Sequence, residues 1–541
     1  MKYRRTKIVA TFGPSTISKS MIEKMIIAGV DVARINMSHY SEVFDIDNLV
    51  KNIRDISKKI NRSVSIMMDL PGPKIRTSNK EIINIKRGSL YTLGLNADVP
   101  LNTQLKFKEI KKGANVKIDD GKLSFIVQNK ISNSQILIKA KNKGYILSEK
   151  GVNICGLDIN LPTVGKKDLE YVKLAIRLGI DWVALSFVRS AADRLVIDQL
   201  FNKLNHQIPV IAKIEKSEAI EQLNDIIEAF DGILVARGDL GLELELEKVP
   251  TLQKIIIRKC NVGCKPVIVA TQMLESMIEN PMPTRAEVSD VASAIYDGSD
   301  AIMLSGETAI GKFPLECVRM MKSIVSNVEK EILDNEEFFN LIKSPDKTNS
   351  GNAICSSAFK IARDLSLKIM VIMTESGSTG NTMSSFRPSS LIFAMTPSDN
   401  VYRKLSLTWG VIPIKVKKFK STDQMLKYCR KFFIDNNMIK KGEQFIMTES
   451  GSTSNTMSSF RSSSLIIAMT PSDKVYRKLS LTWGVVPIKV KKFKSTDQML
   501  KFCRKFLIDN NMIKKGEQFI MTAGIPVGVT GTTNMIKIET I

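Results

Sequence analysis

The sequence predicts an α/β chain whose first part is a TIM (β/α)8 barrel, interrupted by an all-β insertion and followed by a second α/β domain. Two observations predict the barrel. Short apolar runs alternate with helical stretches over residues 5–69 and again from Ile159 to about Lys330, about eight βα units in all, which is the barrel's count. The runs WVALSFV, VIAKIE, GILVARGD, VIVATQ and AIMLSGET also end in polar residues. Barrel enzymes place their chemistry at these C-terminal strand ends. Here the ends carry Arg34, Asn36, Asp69, Lys213, Glu215, Asp239, Thr271 and Ser305.

Taken in order, Lys7–Phe12 reads as the first strand. Ser18–Ala28 reads as a helix with Ser18 as N-cap and Gly29 as its stop. Val32–Asn36 and Ser65–Asp69 are the next strands, separated by a helix around Ile46–Ile60. From about Pro71 to Asp158 the rhythm changes to short β-prone segments with Asp-Gly and Lys-Gly punctuation. The expected domains are therefore a barrel from residues 1–70 and 158–330, a β-rich lid at 71–157, and an α/β effector or assembly domain at 331–541.

The last domain contains a repeat. Residues 372–445 recur as 446–519 with seven differences: Gly380/Ser454, Pro388/Ser462, Phe393/Ile467, Asn400/Lys474, Ile412/Val486, Tyr428/Phe502 and Phe433/Leu507. Two long copies do not resemble a solenoid, whose repeats are shorter and more numerous. The junction EQFIMTES (443–450) fuses a last-strand sequence to a first-strand ending. Either block fits the single place between Ile372 and the final EQFIMTAG, so the spare block is expected to extend the sheet or pack outside it.

Composition narrows the function. The chain has 541 residues and a net charge of +24, from 79 basic and 55 acidic residues. The charge is spread along the chain, aromatics are only 6%, and no nucleic-acid motif is present, so a Lys-rich surface is expected and not a nucleic-acid partner. No apolar run approaches the roughly 18 residues of a membrane span. The apolar stretch after MKYRR is too short for a signal-peptide core. Seven irregularly spaced cysteines make no disulfide framework, and Cys260 and Cys264 lack further metal ligands nearby. A reduced, cytoplasmic protein is expected.

Lys213 and Glu215 lie two apart on a strand and so share a face. Such a pair is either an ordinary ion pair or part of a metal–phosphate site. Asp239, one βα unit later in a Gly-Asp turn, is placed to be a second carboxylate ligand. The Arg-Gly-Asp-Leu-Gly run there offers backbone amides to an anion. Thr271 ends a strand with a hydroxyl suited to a proton relay, and Ser305 and Thr308 do so beside Glu307.

The set VARINMSH (32–39), DLPGPKIRT (69–77), IAKIE, VARGDLG, ATQMLESM, NPMPTRAEVSDVA and MLSGETA resembles the pyruvate kinase family in order and spacing. The resemblance covers essentially the whole chain. It implies transfer of a phosphoryl group from phosphoenolpyruvate to ADP, with Mg²⁺ as cofactor, in a cytoplasmic homotetramer under control of a phosphorylated effector. Residue by residue, Glu215 and Asp239 resemble the Mg²⁺ carboxylates, and Lys213 the lysine that stabilises the phosphoryl group and the developing enolate. Gly238 resembles the substrate-carboxylate anchor. Thr271 and Ser305 match positions near the proton path. Arg34 and Arg76 resemble phosphate-binding arginines. Asn36, His39 and Lys150 match nucleotide-side positions, Lys150 on the return strand of the lid.

Two features depart from the family pattern. Asn36, Ser38 and Asp69 match a K⁺ site, but a Glu usual nearby is Lys74; in this the chain resembles the family's K⁺-independent, bacterial-type branch, which implies that the ammonium replaces the ion and that K⁺ is not required. Tyr40 replaces a Gly usual after Ser-His. The resemblance also implies a phosphate-binding effector loop at Thr374, Ser376, Gly377, Ser378 and Thr379, recurring as Thr448, Ser450, Gly451, Ser452 and Thr453; a plain helix cap is the alternative. Competing functional readings are another Mg²⁺-dependent pyruvate-enolate barrel enzyme, an aldolase or lyase, and a non-catalytic basic binding protein.

Overall fold

A computed structural model describes residues 3–39, 45–107, 110–154, 162–334, 350–420, 422–440, 443, 445–449, 466–470, 485–491, 493, 495–523 and 535–540. The chain forms two compact units. The first comprises Met1–Asp346 with Ser384–Arg387 and Asn400–Pro413; the second comprises Lys347–Met383, Pro388–Asp399 and Ile414–Ile541.

The first unit is a closed barrel of eight parallel strands. They are β1 Lys7–Thr11, β2 Val32–Asn36, β3 Ser65–Asp69, β4 Trp182–Leu185, β5 Val210–Ile214, β6 Gly232–Ala236, β7 Val267–Ala270 and β8 Ala301–Leu304. Each pairs with its sequence neighbours, and β1 pairs with β8 through Lys7↔Ala301 to close the ring. Alternation of side chains across each strand builds two cores. Ile8, Ala10, Ala33 and Ile66 face the outer helices. Val9, Val32, Met67, Trp182, Ile211 and Leu234 fill the interior, joined by Leu407. The barrel is thus a packed core and not a pore.

The helix at Lys19–Ala28 follows its sequence signals: the Ser18 side chain accepts from the Met21 amide, and Gly29 stops it at φ 146°. The helix Ile46–Lys59 buries Leu49, Val50, Ile53 and Ile56 on one face. The insertion is all-β, with a six-stranded mixed sheet and a two-stranded one over their own apolar core. The expected boundary at residues 157/158 lies outside the described residues. Lys150 is not on a strand: Glu149 takes φ 60° in a turn, and the strand begins at Val152.

In the second unit the parallel strands Leu391–Thr396, Ile369–Met373 and Ile446–Glu449 pair in that order. The fused junction therefore supplies a strand beside Ile369–Met373, with Ile372 opposite Thr448. Ile466–Thr470 pairs with Val485–Lys489, and Gln518–Ala523 pairs antiparallel with Met535–Thr540. Among the described residues no helix is long and apolar enough to cross a membrane, and none of the six described cysteines forms a disulfide.

Candidate active site

At the C-terminal end of the barrel one buried ammonium sits among carboxylates. Lys213, on β5, places Nζ 2.9 Å from Glu215 Oε1 and 3.3 Å from Asp69 Oδ1, and donates to Ser186 Oγ at 2.7 Å. Asp69, at the end of β3, takes Arg34 Nε at 2.8 Å on its other oxygen. Arg34 also donates to Thr11 Oγ1 at 2.8 Å. Glu215 accepts the Phe187 amide at 2.7 Å through Oε2. β2, β3 and β5, with Ser186 following the intervening β4, thus bring inward side chains to one point, as strand alternation requires. Ser186 and the Phe187 amide have no sequence signal of their own; they are found only once β4 is seen beside β5.

The electrostatics are uneven. Burial favours neutral forms. Burial pushes the Lys213 ammonium down, but the carboxylates of Asp69 and Glu215 outweigh it and hold it above its usual value. Burial pushes Asp69 up, yet Lys213 and Arg34 bring it below the usual carboxylate range. Glu215 goes the other way: burial and the nearby Asp239 raise it, against the pull of Lys213.

Asp239 is not at a strand end. It is the third residue of a short helix, Arg237–Glu243, that starts directly after β6. Among the described residues no hydrogen bond or ion pair engages its carboxylate. Among the described residues no group of three or more candidate metal-ligating side chains forms, so a divalent cation held by Glu215 and Asp239 would keep coordination positions for substrate and water. An unpartnered carboxylate beside a buried one with raised proton affinity fits such an ion.

Gly238, the expected anion anchor, donates its amide to Thr271 Oγ1 at 2.8 Å, and that hydroxyl donates to the Ala270 carbonyl at 2.6 Å. Thr271 and Gln272 both adopt positive φ, 69° and 54°. Arg237 holds this turn by donating to the Thr271 carbonyl at 2.8 Å while pairing with Asp290 at 2.6 Å. Ser305 follows β8, and its amide donates to Glu307 at 2.6 Å. Glu307, fully buried, also accepts the Leu274 amide and so ties the two turns together. Arg237 and Glu307 were not singled out as site residues from sequence.

The insertion brings further residues. A cavity of about 400 Å³ is lined by Ser38, Lys74, Arg76, Asn102, Lys166 and Lys167, among others. A smaller one, about 60 Å³, is lined by Lys74, Lys117, Arg189, Lys216 and Asp239. Arg76 donates to the Glu149 carbonyl at 2.8 Å, and Lys150 pairs with Asp119 at 3.0 Å. Asn36 Oδ1 accepts the Ser38 amide at 3.1 Å. The Lys74 ammonium has no partner among the described residues; its stem packs beside Gly151. Among the described residues Asp69 pairs with Arg34 and Lys213, and no ion pair joins it to Lys74. His39 lies in a short 3-10 turn after β2, and Tyr40 lies outside the described residues.

In the second unit, Thr374 Oγ1 accepts the Gly377 amide at 2.8 Å, and Gly377 has φ 89°, which favours glycine. Ser376 and Ser378 hydroxyls are 3.0 Å apart, and Ser378 and Thr379 open the helix that follows. Glu375 pairs with Lys418 at 3.2 Å. Thr448 is a buried strand residue, not a loop residue. Ser450, Gly451, Ser452 and Thr453 lie outside the described residues.

Comparison with known proteins places this geometry in context. Residues 3–318 match the family model described as the barrel domain of pyruvate kinase. The pyruvate kinase alpha/beta domain model matches twice, at residues 352–449 and 444–539. A pyruvate kinase of Staphylococcus aureus strain MRSA252 is 40% identical over 466 residues, covering 84% of this chain and 79% of that protein. A crystal structure of a pyruvate kinase from Cryptosporidium parvum has 34% identity and a TM-score of 0.77, covering 82% of this chain and 93% of that one. A second crystal structure of the Cryptosporidium parvum enzyme gives a TM-score of 0.72 and covers 96% of that chain.

Proposed function

The chain belongs to the pyruvate kinase family, whose members transfer a phosphoryl group from phosphoenolpyruvate to ADP with a divalent metal, and from that premise we propose how its residues divide the work. One observation carries the reading: a buried ammonium, Lys213, is held between Asp69 and Glu215 with the unpartnered Asp239 nearby. Glu215 and Asp239 hold the metal, and Mg²⁺ suits two carboxylates that leave room for substrate oxygens. When bound, the ion neutralises charge on the phosphate and on the developing enolate oxygen.

Lys213 adds a fixed positive charge where the phosphoryl group leaves. Phosphoryl transfer needs positioning and charge more than covalent help. Arg34 and Arg76 supply planar guanidinium groups for phosphate oxygens. The Gly238 amide anchors the substrate carboxylate by giving up its bond to Thr271. That exchange frees a lone pair on Thr271 Oγ1, and once its proton turns away from the Ala270 carbonyl the hydroxyl relays a proton to the enolate carbon, with Ser305 on the same path. Asn36, His39 and Lys150 face the nucleotide, joined by Lys167 and Asn102 of the larger cavity.

Lys74 makes a monovalent cation unnecessary, and its unspent charge beside the cavity supports this. We assign Thr374, Ser376, Gly377, Ser378 and Thr379 to a phosphorylated effector, with Ser450, Gly451, Ser452 and Thr453 as the repeated copy. The enzyme is further read as a cytoplasmic homotetramer. The test is pyruvate formation from phosphoenolpyruvate and ADP with MgCl₂, repeated with tetramethylammonium replacing K⁺ at constant ionic strength. Turnover should depend on Mg²⁺ and be nearly unchanged by loss of K⁺. An enzyme inactive without K⁺ would refute the role given to Lys74.

A further inference from the structure

The helix Arg237–Glu243 carries Asp239, and its two ends are tied to different parts of the first unit. Its first residue is fixed to the barrel through Asp290 and the Thr271 carbonyl. Its last turn faces the β insertion instead. Lys117 Nζ donates to the Gly241 carbonyl at 3.1 Å. Gly121, in an insertion turn at φ 86°, has Leu242 Cδ2 within 3.0 Å of where a Cβ would sit. Glu243, with its side chain only 3% exposed, meets the Lys216 ammonium and accepts from Asn153 Nδ2 at 2.9 Å. Lys216 directly follows Glu215, and Asn153 lies on the insertion strand Val152–Ile154.

One carboxylate therefore joins the chain segment bearing Glu215, the helix bearing Asp239, and the insertion. We propose that Glu243 is a positioning residue, a latch through which closure of the insertion sets the helix that carries Asp239. The inference rests on the reading of Asp239 as a metal ligand. Its physical basis is the division of labour between the two partners. Lys216 neutralises Glu243 whether or not the insertion is in place. Asn153 adds a neutral amide, so the insertion can leave without exposing an unpaired buried charge, the costly case for an ion pair. A hydrogen bond to a carboxylate is still stronger than one between neutral groups. Closure is therefore rewarded and opening is not blocked.

The experiment uses the full chain with Asn153→Ala, Asn153→Asp, Glu243→Gln and the double variant Asn153→Asp/Glu243→Gln. Turnover, KM for phosphoenolpyruvate, the Mg²⁺ activation constant and the distance between probes on insertion and barrel are measured. Asn153→Ala should lower kcat about tenfold, the scale of one hydrogen bond to a charged group, with KM and Tm little changed. Its Mg²⁺ activation constant should rise and its probe distance lengthen. Asn153→Asp should lose more, because two carboxylates then oppose each other. The double variant should regain much of that loss, since the carboxamide brought in by Glu243→Gln would donate to the new carboxylate and Lys216 would pair with it. Wild-type turnover in both single Asn153 variants, or independent effects in the double variant, would overturn the proposal. Asp239→Asn separates the two claims. If it keeps its Mg²⁺ response, the metal reading fails, while the probe distances still report whether Asn153 and Glu243 are coupled.

Discussion

The two ends of the barrel both bury acids, and they treat them differently. At the entrances of the strands the pattern is repeated four times. Asp31, Asp181, Asp231 and Asp300 each sit immediately before a strand. Each accepts the amide at or near the start of a preceding strand: Ile8 at 2.8 Å, Ile66 at 2.8 Å, Val210 at 2.8 Å and Val267 at 3.0 Å. Each also meets guanidinium groups. Asp31 takes Arg4 and Arg62, Asp181 takes Arg54 and Arg403, Asp231 takes Arg194, and Asp300 takes Arg387 through both of its oxygens. Burial pushes Asp31 up, but Arg4, Arg62 and Lys7 outweigh it and hold it below the usual range. At the exits Asp69 is matched by Arg34 and Lys213, but the sum does not close: Glu215 is raised and Asp239 has no partner among the described residues. Acids that are fully matched hold a barrel together; acids left short of positive charge are where a cation and a phosphate belong.

That contrast predicts the largest effect at the exits. Lys213→Met removes the ammonium between Asp69 and Glu215 and should cut kcat by roughly 10³-fold or more, with substrate binding mostly retained, because the charge is needed in the transition state. A variant keeping a tenth of wild-type turnover would sink the assignment.

The opposite substitution belongs to the entrances. Asp300→Asn leaves the Arg387 guanidinium, 1% exposed, without its acid, which should cost about 3–5 kcal/mol of stability. Turnover of the protein that remains folded should stay within twofold. Denaturation midpoints and kcat, measured side by side, check both halves. Lost turnover at full stability would show that entrance and exit acids are not separate in role.

How legible was this division in the sequence? The exits were readable because strand alternation and the polar strand ends announce them locally: Arg34, Asp69, Lys213 and Glu215 meet in the structure as their spacing implied. The entrance acids resemble ordinary turn residues, since an Asp before a strand carries no local mark of its partner. The amide that Asp31 accepts is 23 residues away, and Arg387 is 87 residues from Asp300. Ser186, Arg237 and the Lys216–Glu243 pair were missed for the same reason. Lys150 was misplaced onto a strand because a turn at Glu149 depends on one backbone angle that composition does not specify.

The smallest effect is expected from the largest change. The first repeat block supplies Arg387, Arg403 and Trp409 to the entrance end. Arg387 and Arg403 pair with Asp300 and Asp181, and the Trp409 amide donates to Asp300 at 3.2 Å. The second block carries the same residues as Arg461, Arg477 and Trp483, and none of the seven differences falls on them. Their contacts with Asp300 and Asp181 are therefore encoded twice, although Asn400, which accepts from Arg403 at 2.7 Å, is Lys474 in the second copy. Deleting 446–519 joins Phe445 to Ile520 and keeps one complete copy with an intact EQFIMTAG strand. Deleting 372–445 joins Val371 to Ile446 and keeps the other. Both shortened chains should match the parent in kcat within about twofold and in Tm within a few degrees, since closing out a long loop changes chain entropy only slowly with length. Solubility, kcat and Tm of the two deletions decide the matter. If only the deletion of 446–519 folds, the copies are unequal despite their shared anchors, and the seven substitutions must matter to docking. If neither folds, the second block is an integral part of the second unit, and the barrel entrance depends on more than the residues that touch it.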